Sequence, residues 1–169
     1  MDTISFRPLK QVNWSAIVLF ALGFWLSASL LLDCLIIPGL LTSGMMNQEG
    51  FASAGYVIFG TFNHVELICS ALVLSGCLVL NYQQKDTLSS LKKYVFAALA
   101  LVAIALTYTY FLTPQMSSLG LALNNFSNLA TDANSMGMMH LAYWSLEIIK
   151  LVVATSLLGK FYRNSCSLV

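Results

Sequence analysis

Hydrophobic residues fall into four long runs that are separated by shorter polar segments. The runs occupy residues 14–37, 56–80, 94–112 and about 133–159. Each run is long enough to cross the roughly 30 Å hydrocarbon core of a bilayer as a helix. Because the runs are continuous and do not alternate with polar residues, they favour helices over the strands of a membrane barrel. The pattern predicts a single all-α domain over 1–169, an integral membrane four-helix bundle.

Helix-breaking and polar residues predict where the spans end. The Pro-Gly pair at 38–39 is expected to end the first helix, and the Thr-Pro pair at 113–114 the third. Asp, Asn and Ser within 132–135 are suitable helix caps, so the fourth helix is expected to begin near Ala133. The intervening segment, 115–131, carries spaced leucines and is expected to lie against the mouth of the bundle.

Composition supports a membrane protein and excludes other classes. Hydrophobic residues make up 58% of the chain and charged residues only 9%, against roughly 25% charged residues in soluble domains. The net charge of +1 provides no basic field for nucleic acid. The segments between spans are too short for a catalytic domain, and no catalytic motif is present, so we expect no enzyme.

The cations lie on one side of the predicted bundle. Residues 38–55 and 114–135 contain no Lys or Arg. The cations outside the spans are Arg7, Lys10, Lys85, Lys92, Lys93, Lys160 and Arg163. Because cationic residues accumulate on the cytoplasmic side of membrane proteins, both termini are predicted to be cytoplasmic.

Six ionisable residues interrupt the apolar spans. They are Asp33, His64, Glu66, His140, Glu147 and Lys150. Ionisable groups are costly inside a bilayer and usually face a bundle interior, so each is a candidate functional residue. Asn63 shares a helix face with Glu66, and Glu147 can pair with Lys150 three residues later. The pairing of Glu147 with Lys150 favours mutual neutralisation of their charges over a proton or substrate site.

The two histidines are candidate ligands of a cofactor. His64 and His140 lie at similar predicted depths, so they could bracket a haem or chlorophyll, or bind a metal ion with Asp33 or Glu66. The alternatives are that each imidazole hydrogen-bonds a neighbouring helix or lies at the wet mouth of the bundle, or that it handles protons. His64 is turned about 200° from Glu66, so both cannot ligate one centre on a regular helix. The identity of any metal stays open.

Several short motifs resemble a family of small four-span membrane proteins of unknown function. The motifs are Pro38 after span one, Gly55-Tyr56-Val-Ile-Phe-Gly-Thr-Phe, Thr113-Pro114-Gln115-Met116 and His140-Leu-Ala-Tyr-Trp-Ser-Leu-Glu-Ile. The family looks distantly related to the copper-resistance D membrane domain and has cyanobacterial and plastid-like members. The resemblance implies a thylakoid protein that accompanies assembly of photosynthetic complexes, and it supplies no catalytic residue.

Three functions follow as hypotheses. The first is a non-enzymatic accessory or assembly factor that binds other membrane subunits, in a bacterial inner membrane or a thylakoid. The second is a haem-, chlorophyll- or metal-binding membrane protein that uses His64 and His140. The third is a proton-coupled transporter that uses Glu66, Glu147 and Lys150, for which four spans are few unless the chain forms a homodimer.

Overall fold

The computed structural model describes residues 13–44, 50–83, 88–124 and 129–166, and nearly all of them are helical. There are six α-helices and two π-helical turns in these ranges. The α-helices are α1 (Trp14–Leu31), α2 (Ile37–Thr42), α3 (Phe51–Gln83), α4 (Leu88–Thr107), α5 (Thr113–Asn124) and α6 (Leu129–Cys166). The π turns are Leu32–Ile36, between α1 and α2, and Tyr108–Leu112, between α4 and α5.

Four helical segments are long and apolar enough to cross a membrane. They are span 1 (Trp14–Leu40), span 2 (Ser53–Gln83), span 3 (Lys92–Ser118) and span 4 (Gly137–Arg163). The predicted all-helical fold, with four helices long and apolar enough to cross a membrane, is confirmed. Each span extends beyond at least one of the ends that the hydrophobic pattern predicted.

The prolines do not end the helices, which corrects the prediction. Proline lacks an N–H and its ring clashes with the carbonyl of the preceding helical turn. In both spans a wider π turn comes just before the proline: the Ile37 N–H bonds the Leu32 carbonyl, and the Thr113 N–H bonds the Tyr108 carbonyl. These i→i−5 bonds change the local geometry, and the helix continues through Pro38 and Pro114.

The start of the fourth helix was also predicted wrongly. Helix α6 begins at Leu129, so the polar residues of 132–135 lie within the helix and do not cap it. No proline interrupts this stretch, and capping residues are tolerated in a helix whose first turn lies further upstream. Helix α5 likewise extends to Asn124. The predicted contact of 115–131 with the bundle mouth depends largely on side chains outside the described residues.

The spans form a four-membered ring. Among the described residues, span 1 packs on spans 2 and 4, and span 3 packs on the same two spans. Spans 2 and 4 therefore lie diagonally across the bundle axis. We call the end near Trp14 and Arg163 the terminal end, and the end near Leu40 and Gly137 the loop end.

The core differs between the two ends of the bundle. Towards the terminal end it is apolar and closely packed, and a Cβ added to Gly76 would overlap Cγ2 of Val18. The fully buried apolar side chains there include Val18, Leu22, Val73, Leu101 and Leu157. The polar and charged buried residues lie from the middle of the bundle towards the loop end, where the candidate site is found.

Candidate functional site

Glu66 lies near the middle of span 2 and is buried, with 1% of its surface exposed. Its Oε1 accepts hydrogen bonds from three neighbours: Trp25 Nε1 at 2.9 Å, Ser29 Oγ at 3.2 Å and Lys150 Nζ at 2.5 Å. Hydrogen bonds to a carboxylate are stronger than those between neutral groups. Spans 1 and 4 therefore hold the Glu66 carboxylate in place.

Lys150 connects two carboxyl groups across the bundle. Its ammonium group bonds Glu66 on the diagonal span, and it also lies 2.7 Å from Glu147 Oε1, one helical turn earlier on its own span. This second contact is an ion pair without a hydrogen bond, since Glu147 Oε1 accepts no hydrogen bond. The sequence-based pairing of Glu147 with Lys150 is confirmed as an ion pair, while the stronger bond of Lys150 goes to Glu66.

Tyr108 closes the cluster on the side of span 3. The ring is 1% exposed and its hydroxyl donates to Glu147 Oε2 at 3.1 Å. Lys150 Nζ lies 5.4 Å from the ring centroid, within the range of a cation–π contact. Since Tyr108 is the first residue of the π turn, the irregular turn carries the residue that contacts Glu147.

Asp33 is buried without a hydrogen-bond donor. It belongs to the π turn of span 1 and is 7% exposed. Neither Oδ1 nor Oδ2 accepts a hydrogen bond, and the carboxyl group faces that of Glu147. This burial does not fit a carboxylate that is solvated at the membrane interface.

Charge is unbalanced inside the bundle. Among the residues that the structure describes, the buried acidic and basic side chains are Asp33, Glu66, Glu147 and Lys150. If all four are charged, three negative groups face one positive group in a low-dielectric environment, where an uncompensated charge is expensive. Bound protons would remove this excess, so the arrangement can take up and release protons.

Asn63 lies closer to the loop end than Glu66 does, on the same face of span 2. Its Nδ2 donates to Thr113 Oγ1 of span 3 at 2.6 Å, and its side chain is buried. Asn63 therefore links two spans beside the π turn of span 3. It does not contact the charged side chains directly in the described hydrogen bonds.

The structure does not bring the two predicted ligand histidines together. His64 and His140 are exposed on the outer surface of spans 2 and 4, which are diagonal in the ring. His64 Nδ1 lies 2.6 Å from the carbonyl oxygen of Gly60 on its own helix. A single macrocycle bracketed by both imidazoles of one chain does not fit this arrangement. Among the described residues, no cluster of three His, Cys, Asp or Glu side chains is arranged to hold a metal ion.

Sequence reasoning missed three members of the cluster. The sequence did not identify Tyr108, Trp25 or Ser29 as candidate site residues. The missing information was the rotation of each helix about its axis, which decides whether a mid-span residue faces inward. The sequence carried no such signal for Tyr108, because the predicted third span ended at residue 112, only four residues after it.

No family model, curated protein or solved structure significantly matches the chain. The resemblance to four-span membrane proteins therefore stays a prediction. The buried cluster, defined as Asp33, Glu66, Glu147 and Lys150 with Trp25, Ser29 and Tyr108, is the feature from which a function can be argued.

Proposed function

We propose that this chain is a membrane transporter or channel that moves protons by binding and releasing them at the buried cluster. One observation carries the proposal: three buried carboxyl groups share one ammonium group, and Asp33 accepts no hydrogen bond. Ionisable residues that face the interior of a membrane bundle commonly belong to ion or proton pathways. The cluster has both the carboxyl groups and the excess negative charge that proton uptake requires.

A purely neutralising role accounts for only part of the cluster. One Lys and one Glu suffice to cancel charge, and Glu66 with Lys150 form such a pair at 2.5 Å. Glu147 shares the same ammonium group at 2.7 Å and accepts the Tyr108 hydroxyl, whereas Asp33, which faces Glu147, has no hydrogen-bond donor. A buried carboxylate without a partner is destabilising. The presence of Asp33 is therefore better explained by a function that uses its carboxyl group.

The location and assembly of the protein are part of this proposal. The distribution of Lys and Arg supports a topology with both termini in the cytoplasm or its equivalent. The membrane would be a bacterial inner membrane or a thylakoid. Four spans offer little surface for a transport pathway, so we propose that the working unit is a homodimer.

Proton flux into proteoliposomes tests the proposal. Purified protein is reconstituted with a pH-sensitive dye inside the vesicles, and a potassium diffusion potential drives proton entry. We expect the wild-type protein to acidify the interior faster than protein-free vesicles do. Glu147→Gln should lower this rate at least tenfold, because the amide cannot carry the proton.

Asp86→Asn is the matched control, since it removes an acid from the segment between spans 2 and 3 without changing a cluster residue. Its flux should equal that of the wild type. Wild-type vesicles that are as impermeable to protons as protein-free vesicles would contradict the proposal.

An accessory or assembly factor is the second candidate. The observation that favours it is the exposure of His64, whose imidazole lies on the outer surface about 16 Å along span 2 from Ser53. A polar side chain facing hydrocarbon is unfavourable, so another membrane subunit on this face would stabilise it. The Gly60 contact leaves Nε2 free, so a haem or chlorophyll bound by His64 alone fits better than one bracketed by both histidines. The subunits of a photosynthetic complex are the proposed partners.

A further inference from the structure

We infer that the exchangeable proton of the buried cluster is held between the carboxyl groups of Asp33 and Glu147, and that it enters and leaves through the loop end. This assignment rests on the proposed function and specifies where in the cluster the proton binds. It assigns Glu66 a different role, that of the hydrogen-bonded partner of Lys150.

Glu66 is the least suitable of the three acids for proton exchange. Its Oε1 accepts bonds from Trp25, Ser29 and Lys150, at 2.5–3.2 Å. All three stabilise the carboxylate, and a proton added to that oxygen would have to displace at least one of them. Glu66 is therefore the acid that the hydrogen bonds on Oε1 tie most closely to Lys150.

Asp33 and Glu147 have fewer hydrogen-bond donors than Glu66. Asp33 accepts no hydrogen bond, while Glu147 accepts only the Tyr108 hydroxyl on Oε2 and lies 2.7 Å from Lys150 Nζ through Oε1, in an ion pair without a hydrogen bond. Two ionised carboxylates in contact repel each other, whereas one proton between them converts the repulsion into a hydrogen bond. Taking up the proton changes the charge of this pair from −2 to −1, and releasing it to water reverses the change. No covalent bond is formed or broken other than the O–H bond of the carboxyl group.

The groups that face the pair come from all four spans. Span 1 contributes Asp33 itself and span 2 contributes the negative charge of Glu66, while span 3 contributes the hydroxyl of Tyr108. Span 4 contributes Glu147 and the single positive charge, Lys150, which Glu66 shares. The negative groups outnumber the positive one, so the surroundings favour one bound proton on the pair.

The two ends of the core differ in their ability to conduct a proton. Asp33 lies seven residues before the loop end of span 1, about 10 Å along the helix, and its side chain retains 7% exposure. The polar Asn63–Thr113 contact lies on the same side. Towards the terminal end, buried side chains such as Val18, Leu22 and Leu101 are 0% exposed and offer no proton acceptor. Exchange is therefore expected at the loop end.

Infrared difference spectroscopy on proteoliposomes tests the assignment directly. A pH step applied to the wild-type protein should change one protonated-carboxyl C=O band per chain, and the band should shift in deuterated water. The band should be lost completely in Asp33→Asn and in Glu147→Gln, and it should remain at full amplitude in Glu66→Gln. In vesicles sorted by the orientation of a C-terminal tag, the band should follow the pH of the solution at the loop end.

Asp33→Glu is the control for misfolding of the Asp33→Asn variant. It keeps a carboxyl group at position 33, so the C=O band should remain, at a shifted frequency. The assignment is overturned if the band survives in Asp33→Asn, disappears only in Glu66→Gln, or follows the pH at the terminal end. A band with the expected pattern but no proton flux would refute the proposed transport function alone. Proton flux together with a C=O band that is unchanged in Asp33→Asn would refute only the assignment of the proton to Asp33 and Glu147.

Discussion

At the scale of single residues, Lys150 determines whether the buried carboxyl groups are tolerated. It is 2% exposed and provides the only positive charge among the buried residues that the structure describes. Removing it leaves Glu66 with two neutral donors and leaves Glu147 with the Tyr108 hydroxyl. Breaking a buried ion pair by deleting one partner is strongly destabilising, because the other charge stays buried.

Lys150→Met should therefore lower the free energy of unfolding by about 3–5 kcal/mol, as measured by chemical unfolding in detergent at neutral pH. The deficit should shrink as the pH falls, because protonation neutralises the carboxylates that the substitution leaves unpaired. The double variant Glu66→Gln/Lys150→Met should be more stable than the single variant. Lys160→Met is the control, since Lys160 is exposed near the terminal end; equal stability of the two single variants would contradict the argument.

At the scale of elements, the two π turns link the helix geometry to the site. Asp33 lies in the first turn and Tyr108 begins the second, and each turn is followed closely by a proline. A π turn accommodates one more residue than an α turn, so it changes the rotation of the helix on either side. This extra residue allows span 3 to direct Tyr108 inward and still pass through Pro114.

Deletion of Phe111 should test this role. Phe111 is 61% exposed within the second π turn, so removing it can restore an α turn and keep the faces on both sides in register. Deletion of Leu99, which is 50% exposed within α4, should rotate one half of span 3 by about 100° relative to the other. We expect the Phe111 deletion to unfold at a clearly higher temperature in detergent than the Leu99 deletion; equal losses would argue against an extra residue at the π turn.

At the scale of the whole molecule, apolar side chains on the outside enclose a partly polar interior. Phe20, Phe96 and Leu141 are each more than 70% exposed, as expected for a surface covered by lipid. His64 interrupts this surface on span 2. The outer surface therefore offers a partner polar positions such as His64 and, on span 4, His140, while the interior holds the cluster proposed to bind protons.

Purification in a mild detergent tests whether a partner covers His64. If the protein is an accessory factor that uses this face, the wild-type chain should co-purify with other membrane subunits and His64→Leu should lose most of them. Ile68→Ala, at a neighbouring exposed position on the same face, is the control and should retain more of them. Migration of the wild-type chain only as a monomer or homodimer would count against this candidate. A visible absorption band that disappears in His64→Leu would instead identify a bound tetrapyrrole.

The sequence predicted the number and type of the spans because hydrophobic runs of this length have few alternatives in a bilayer. It also identified Asp33, Glu66, Glu147 and Lys150, since charges within such runs are conspicuous. The predicted helix ends at Pro38 and Pro114 were wrong, because local helix-breaking tendencies do not show that a preceding π turn lets the helix continue through a proline.

The amino-acid pattern by itself determined that the protein has four helices long and apolar enough to cross a membrane, with a few costly polar residues inside them. Only the tertiary structure decided which of them meet. Helix rotation and the diagonal arrangement of spans 2 and 4 bring Lys150 to Glu66, and the π turns bring Asp33 and Tyr108 to Glu147. The same rotations place His64 and His140 on the outside. Hydropathy depends on composition along one chain segment, whereas these contacts depend on the relative rotation of four helices.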